Sequence, residues 1–323
     1  ARILKAFLEN KVSYTDFADI NGYGNYDAGR DKLERIFSTV LGTQDALVRP
    51  HIMSGTNALY LAFSALLKHG DTMISLTGTP YDSLQEMIGL SGDSTQSLKA
   101  YGVKYEQIDL INNEFDEEKI VERLSVPDVR LAEIQRSRGY SHRLSLDLDK
   151  IEHLIRKIRQ VNQDVIILVD NCYGELTEEK EPGHIGADIV VGSLMKNLGG
   201  GIASTGGYIA GRKDLVAMVA DRLTAPGIGK EQGANFNLNN SFFKGIFMAP
   251  SAVSSAGGVS CHGSSAAEPI SSGSSSAEAS AAPEITCAIS SPACAGSMVL
   301  NSSIDMMSLL PKHSFCTLTN WPR

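Results

Sequence analysis

One lysine, Lys196, follows an apolar run from Asp188 to Val191 and the small residues Gly192 and Ser193, and precedes the glycine cluster Gly199 to Gly201. An amine between a buried strand and a glycine turn is placed to act as a nucleophile, because burial favours its neutral form. Earlier in the chain, the apolar run Val165 to Val169 stops on Asp170. Ligands of open α/β sheets bind beyond the carboxyl ends of strands, so a carboxylate there faces the binding crevice. Such an aspartate followed by a strand-end lysine is the pair a pyridoxal 5'-phosphate site requires: the lysine condenses with the aldehyde, and the aspartate holds the pyridine nitrogen protonated. The same stretch also fits a solvated lysine beside a chain-turning glycine run.

A third feature favours the chemical reading. Between the short strand Ala46 to Val48 and an apolar helix from about Thr56 to Leu67 stand Ser54, Gly55 and Thr56. Small residues at a helix start leave backbone N–H groups and the positive end of the dipole free for a phosphate. These residues precede the aspartate and the lysine in the chain, so cup, ring partner and nucleophile are all present.

The elements that must position these groups alternate. Helical patterns fall at Ile3 to Leu8, from Asp31 with the apolar face Leu33, Ile36, Phe37 and Val40, at Asp116 to Leu124, at Asp147 to Gln160 and at Asp214 to Arg222. Strand patterns fall at Met73 to Leu76, Tyr105 to Asp109, Val129 to Ile134, Val165 to Val169 and Gly206 to Ala210. The alternation predicts an α/β fold, a three-layer, mostly parallel sheet flanked by helices. Gly22, Gly24 and Gly29 are expected in a loop, and Glu175 with Glu178 to Glu181 in an exposed one. Basic residues after the strand ending at Ile134 make Arg136, Arg138 and Tyr140 candidates for holding a substrate carboxylate or fixing the wall of a site; a salt-bridged edge is the other account.

The stretches VDNCYGE, GADIVVGSLMKNLGGGIASTGGYIAG, IQRSRGYSHR and GYGNYDAGRDKLERIF together resemble the methionine gamma-lyase-like family, also called aluminium-resistance proteins, among the fold-type-I pyridoxal-phosphate enzymes. The resemblance covers roughly residues 1 to 250. It implies Lys196 as the residue joined to the cofactor, Asp170 on the ring nitrogen, Tyr81 stacked on the ring, and Ser193 with the N–H groups of Gly55 and Thr56 on the phosphate. Cys172 and Tyr173 fall close to the ring. The glycine–tyrosine loop would bring Tyr23, Tyr26 and Arg30 to the site of a neighbouring subunit, in a homodimer or homotetramer; a surface loop with aromatic packing is the competing account. Asn57 stands where the family usually carries histidine.

The resulting division is an N-terminal helical segment and loop over 1–45, a cofactor-binding large domain over 46–250, and a Ser/Ala-rich tail over 251–323. No lysine or arginine lies between Lys244 and Lys312, and no aromatic residue between Phe247 and Phe315. That composition offers little apolar surface against the entropy of ordering. The family's smaller C-terminal domain, with its carboxylate-binding arginine, is therefore expected to be missing or replaced. A net charge of −8 argues against nucleic acid or an anionic membrane as partner. The five cysteines match no zinc spacing and no metal site is expected. A cytoplasmic protein is the default in the absence of a long apolar run. The expected activity is a carbon–sulfur lyase acting on a sulfur-containing amino acid; the alternative is a silent homologue with a binding or regulatory role. A nucleotide site built on the glycine run lacks the G-x-x-x-x-G-K-[ST] pattern.

Overall fold

The structure is a computed structural model that describes residues 1–139 and 141–255. Tyr140, the tail from residue 256 and its cysteines Cys261, Cys287, Cys294 and Cys316 lie outside the described residues.

The chain opens with α1 (Arg2–Glu9) and α2 (Ala28–Leu41), then runs through β1 (Asp45–Arg49), α3 (Gly55–Leu66), β2 (Thr72–Ser75), α4 (Asp82–Ile88) and β3 (Lys104–Gln107). Next come α5 (Glu117–Leu124), β4 (Val129–Gln135), α6 (Leu148–Val161) and β5 (Ile166–Asp170). The described part closes with β6 (Ile189–Ser193), β7 (Gly207–Gly211), α7 (Lys213–Leu223) and α8 (Asn239–Ser255). The strands form one seven-stranded sheet in the order β1-β7-β6-β5-β4-β2-β3. Pairing is parallel from β3 through β6, while β7 runs antiparallel to both β6 and β1. The expected three-layer, mostly parallel architecture is present.

Burial on both faces explains the continuous apolar strands. One face packs α3, α4 and α7 against Met73, Leu131, Leu168, Val191 and Ile209. The other packs α5 and α6 against Ile74, Ala132, Ile134, Ile167 and Val169. Farther along that second face, α1, α2 and α8 cover Ala46, Val48, Val190 and Ala210. Side chains alternate across a strand, so Glu133 and Gln135 on β4 and Asp170 on β5 project with Leu131 and Leu168 toward the α3 layer.

Two local expectations are corrected. Helix α2 begins at Ala28 rather than Asp31, because Asp27 accepts the N–H of Arg30 at 2.8 Å and caps it. Gly29 is thus helical; a Cβ there would stand 2.2 Å from the carbonyl oxygen of Asp16, so the residue is small for close packing. Of Glu175 and the run Glu178 to Glu181 after β5, only Glu179 and Lys180 are exposed. Glu175 and Glu181 are fully buried, Glu175 under the Tyr208 hydroxyl at 3.0 Å and Glu181 held by Arg2 at 2.8 Å and Asn171 at 3.0 Å.

Candidate active site

The carboxyl ends of β4, β5 and β6 and the start of α3 surround a pocket of about 440 Å³, whose lining includes Thr56, Tyr81, Gln135, Arg138, Asp170, Cys172 and Lys196. Lysine and aspartate, the pair expected from sequence, therefore share one cavity. β6 and β7 pair in register from Ile189 opposite Gly211 to Ser193 opposite Gly207, so Lys196 rides on the arch between two fixed strand ends. The arch turns through Asn197–Gly199 and Gly200, at φ +58°. It rests on α8 without intervening side chains: a Cβ on Gly200 would meet the Gly245 carbonyl oxygen at 2.3 Å, and one on Gly245 would meet the Gly199 carbonyl oxygen at 2.7 Å.

Burial pushes the Lys196 amine down, but the Cys172 thiol, the Tyr173 phenol and the Asp170 carboxylate push it further the other way, so its pKa is raised overall. This corrects the expectation that burial leaves the amine neutral; in the cofactor-free pocket it is an ammonium, 4.1 Å from the centroid of the Tyr173 ring. Asp170 is only 3% exposed. Burial raises its pKa, against hydrogen bonds from the Cys172 N–H and thiol and the charge of Lys196. Its Oδ1 accepts the Cys172 N–H at 3.0 Å.

Ser54 caps α3 by accepting the N–H of Asn57 at 3.1 Å. Gly55 packs tightly beside the lysine: a Cβ there would collide with Cys172 Sγ at 2.8 Å and lie 3.7 Å from Ser193 Cβ and 3.9 Å from Lys196 Nζ. Thr56 and Tyr81 hydroxyls meet at 3.1 Å, and burial, then the charge of Asp170, hold the Tyr81 phenol un-ionised. Ser193 is fully buried, its Oγ accepting the N–H of Met195 at 3.1 Å.

Of the basic candidates, Arg136 is fixed in the wall. Its five N–H donors meet Leu146 O at 3.4 Å, Asn171 Oδ1 at 2.8 Å, Gly174 O at 2.6 Å, Thr177 Oγ1 at 3.2 Å and the Glu178 carboxylate. No donor is left for a substrate carboxylate, so of its two expected roles only the structural one stands. Arg138 is exposed at the rim, with no hydrogen bond or ion pair to its guanidinium among the described residues. Tyr23 and Tyr26 are exposed, whereas Arg30 is 2% exposed and donates to Gly24 O at 2.8 Å and Asp31 at 3.0 Å. As it stands, Arg30 shapes the loop rather than projecting from it, and within one chain Tyr26 and Arg30 line a different hollow from that of Lys196.

Sequence reasoning missed Gln135, directly opposite Asp170 in the sheet register, and Glu133 below it. A buried acid inside the apolar strand LAEIQ was the available signal.

The chain fits the proposed cofactor in three respects: a helix start that reaches the pocket at Thr56, a buried carboxylate at Asp170, and the Lys196 amine, all lining one cavity. A Clostridium acetobutylicum protein, named provisionally as a cystathionine beta-lyase involved in aluminum resistance, is 46% identical; the match covers 77% of this chain and 60% of that one, with a TM-score of 0.76. A carbon-sulfur lyase involved in aluminum resistance from Clostridium novyi NT is 42% identical, with coverages of 77% and 60% and a TM-score of 0.74. The pyridoxal-5'-phosphate dependent protein YhfS of Escherichia coli, 17% identical over 79% of this chain and 64% of that one, shares the fold at a TM-score of 0.58. The chain thus spans about three fifths of the length of these relatives and has the fold-type-I large-domain architecture. The family model described as methionine gamma-lyase matches residues 1–280, past the last sequence motif, and the chain belongs to that family.

Proposed function

We propose that the protein is a pyridoxal 5'-phosphate-dependent carbon–sulfur lyase acting on a sulfur-containing amino acid. The observation that carries this reading is the placement of Lys196, Asp170 and the start of α3 around one cavity.

When bound, the cofactor supplies a protonated ring that takes up the electron pair left at the substrate's α-carbon. Asp170 would hold the ring N–H; its raised pKa reflects burial, and a cation beside it lowers it. Ser193 and the N–H groups of Gly55 and Thr56, with Ser54 at the cap, would bind the phosphate, and Tyr81 would lie on the ring. The Lys196 amine, once released, would take the α-proton and pass one to the product. That electron pair would expel a thiolate from the β carbon, or from the γ carbon once a β proton is also removed; the thiolate takes a proton, and water converts the unsaturated amino acid that remains into keto acid and ammonia. Arg138 would receive the substrate carboxylate. The exposed Tyr23 and Tyr26 support a homodimer or homotetramer in which this loop reaches a neighbouring site.

Purification with added pyridoxal phosphate tests the reading through a visible absorption band that Lys196→Ala lacks. Release of keto acid and thiol from cystathionine, cysteine or methionine then identifies the substrate. A band without release from any of them points to the silent homologue instead.

A further inference from the structure

The face of β4 that carries the site holds a buried carboxyl for which the reaction above has no use. Glu133 is 1% exposed. Its Oε2 accepts the Ser75 hydroxyl at 2.9 Å, and its Oε1 is buried with no hydrogen-bond partner among the described residues. Leaving such an oxygen unpaired is unfavourable, a cost that apolar packing at this position would avoid.

Its surroundings come from several directions, including the turn before α4, where Glu133 is among the charges that keep the Tyr81 phenol un-ionised. β2 contributes Ser75, and β3 contributes Tyr105, whose phenol is kept un-ionised by burial and then by Glu133. The segment after β4 contributes Arg143, which donates to the carbonyls of Gln135 and Ser137 at 2.6 Å each. β5 contributes Asp170. The register sets Gln135 opposite Asp170 and Glu133 opposite Leu168, so the two carboxyls are diagonal neighbours on one face.

We propose that Glu133 is a positioning residue for the cofactor, acting through Asp170: its carboxyl supplies a second, proton-regulated charge behind the one that meets the ring nitrogen. The inference rests on the pyridoxal-phosphate reading and deepens it. Burial, with the charge of Asp170 adding to it, pushes Glu133 up to about 7 against the Ser75 hydrogen bond and the charge of Arg143. The Asp170 charge is among the causes that raise Glu133, so Glu133 titrates beside a carboxylate that already faces the ring. Above neutrality Glu133 follows, and two charges hold the ring proton in place of one. A second buried carboxylate behind the first attracts a bound ring cation strongly enough to change its binding on the order of tenfold.

The test is cofactor affinity across pH 6 to 8.5 for the full chain and for Glu133→Gln, which keeps the shape and the acceptor for Ser75 but cannot ionise. The ratio of the two dissociation constants at each pH cancels the titrations of the cofactor itself. It is expected near one at pH 6 and about tenfold, in favour of the wild type, at pH 8.5. A ratio independent of pH, whatever its size, overturns the proposal while leaving the cofactor reading intact. A wild-type protein that takes up no cofactor at any pH overturns both. Should Glu133→Gln fail to fold, Ser75→Ala decides: it removes the hydroxyl that steadies the anion, so the midpoint of the affinity step moves to higher pH, and an unmoved midpoint overturns the proposal.

Discussion

The Lys196 amine lies 4.1 Å from the centroid of the Tyr173 ring, and Tyr173 itself is held at φ +68°, a left-handed conformation uncommon for an aromatic residue. The turn is kept there by Asn197, next to the lysine, whose amide donates to Tyr173 O at 3.1 Å and to Glu175 O at 2.9 Å. Strand end and lysine arch are thus tied together, and the ring is held beneath the charge.

Because the resting amine is an ammonium with a raised pKa, only a small neutral fraction can attack an aldehyde. The rate of pyridoxal-phosphate capture is expected to rise about tenfold per pH unit between pH 7 and 9. Stopped-flow absorbance measures it, and a rate flat with pH would count against an ammonium resting state.

Gly55→Ala is expected to fold and yet lose at least about tenfold in cofactor affinity, since the added methyl would collide with Cys172 Sγ at 2.8 Å and push the start of α3 or the thiol out of place beside Lys196. Fluorescence titration checks this. Unchanged affinity would place the phosphate elsewhere.

Arg136 and Arg138 are expected to separate cleanly. Arg136→Ala leaves Glu178 and the Asn171 and Gly174 oxygens without their partner and should cost about 3–5 kcal/mol in urea unfolding. Arg138→Ala, at an exposed site, should leave unfolding within about 0.5 kcal/mol and raise KM for the amino-acid substrate. A loss of stability in Arg138→Ala would refute the assignment.

Stability of the cofactor-free protein should fall as pH rises from about 5 to 8. Burial, together with the nearby Glu181, pushes Glu175 up to about 8 against its hydrogen bonds and Lys196, and Glu133 stands at about 7. The folded state then binds more protons than the unfolded state across this window, so unfolding becomes easier with each step in pH, by several kcal/mol in all. Glu175→Gln, which keeps an acceptor for Tyr208, should flatten the slope of urea midpoint against pH. An identical slope in the variant would show that Glu175 does not titrate there.

The architecture was legible because its signals are local. The apolar run Val165 to Val169 ending on Asp170, and the run before Ser193, mark strands whichever partners they find, and the strand-end aspartate and lysine meet because parallel strands share one end. What could not be read depends on contacts distant in sequence. Glu175 and Glu181 look like surface acids until Tyr208 and Arg2 are brought over them. The sequence QRSR does not say that all five donors of Arg136 are consumed while the Arg138 guanidinium has no partner among the described residues. The raised pKa of Lys196 likewise comes from Cys172, Tyr173 and Asp170 crowding one amine, a balance of burial against charge that strand pattern does not carry.

The bare-backbone seat between Gly245 and the Gly199–Gly200 turn makes α8 a remote handle on the nucleophile. With no flexible side chain between them to absorb displacement, a shift or tilt of that helix is transmitted to the arch that carries Lys196. Engineering aimed at retuning the amine can therefore start at Gly245, outside the pocket, where a single methyl would press on the turn without replacing any residue that lines the cavity.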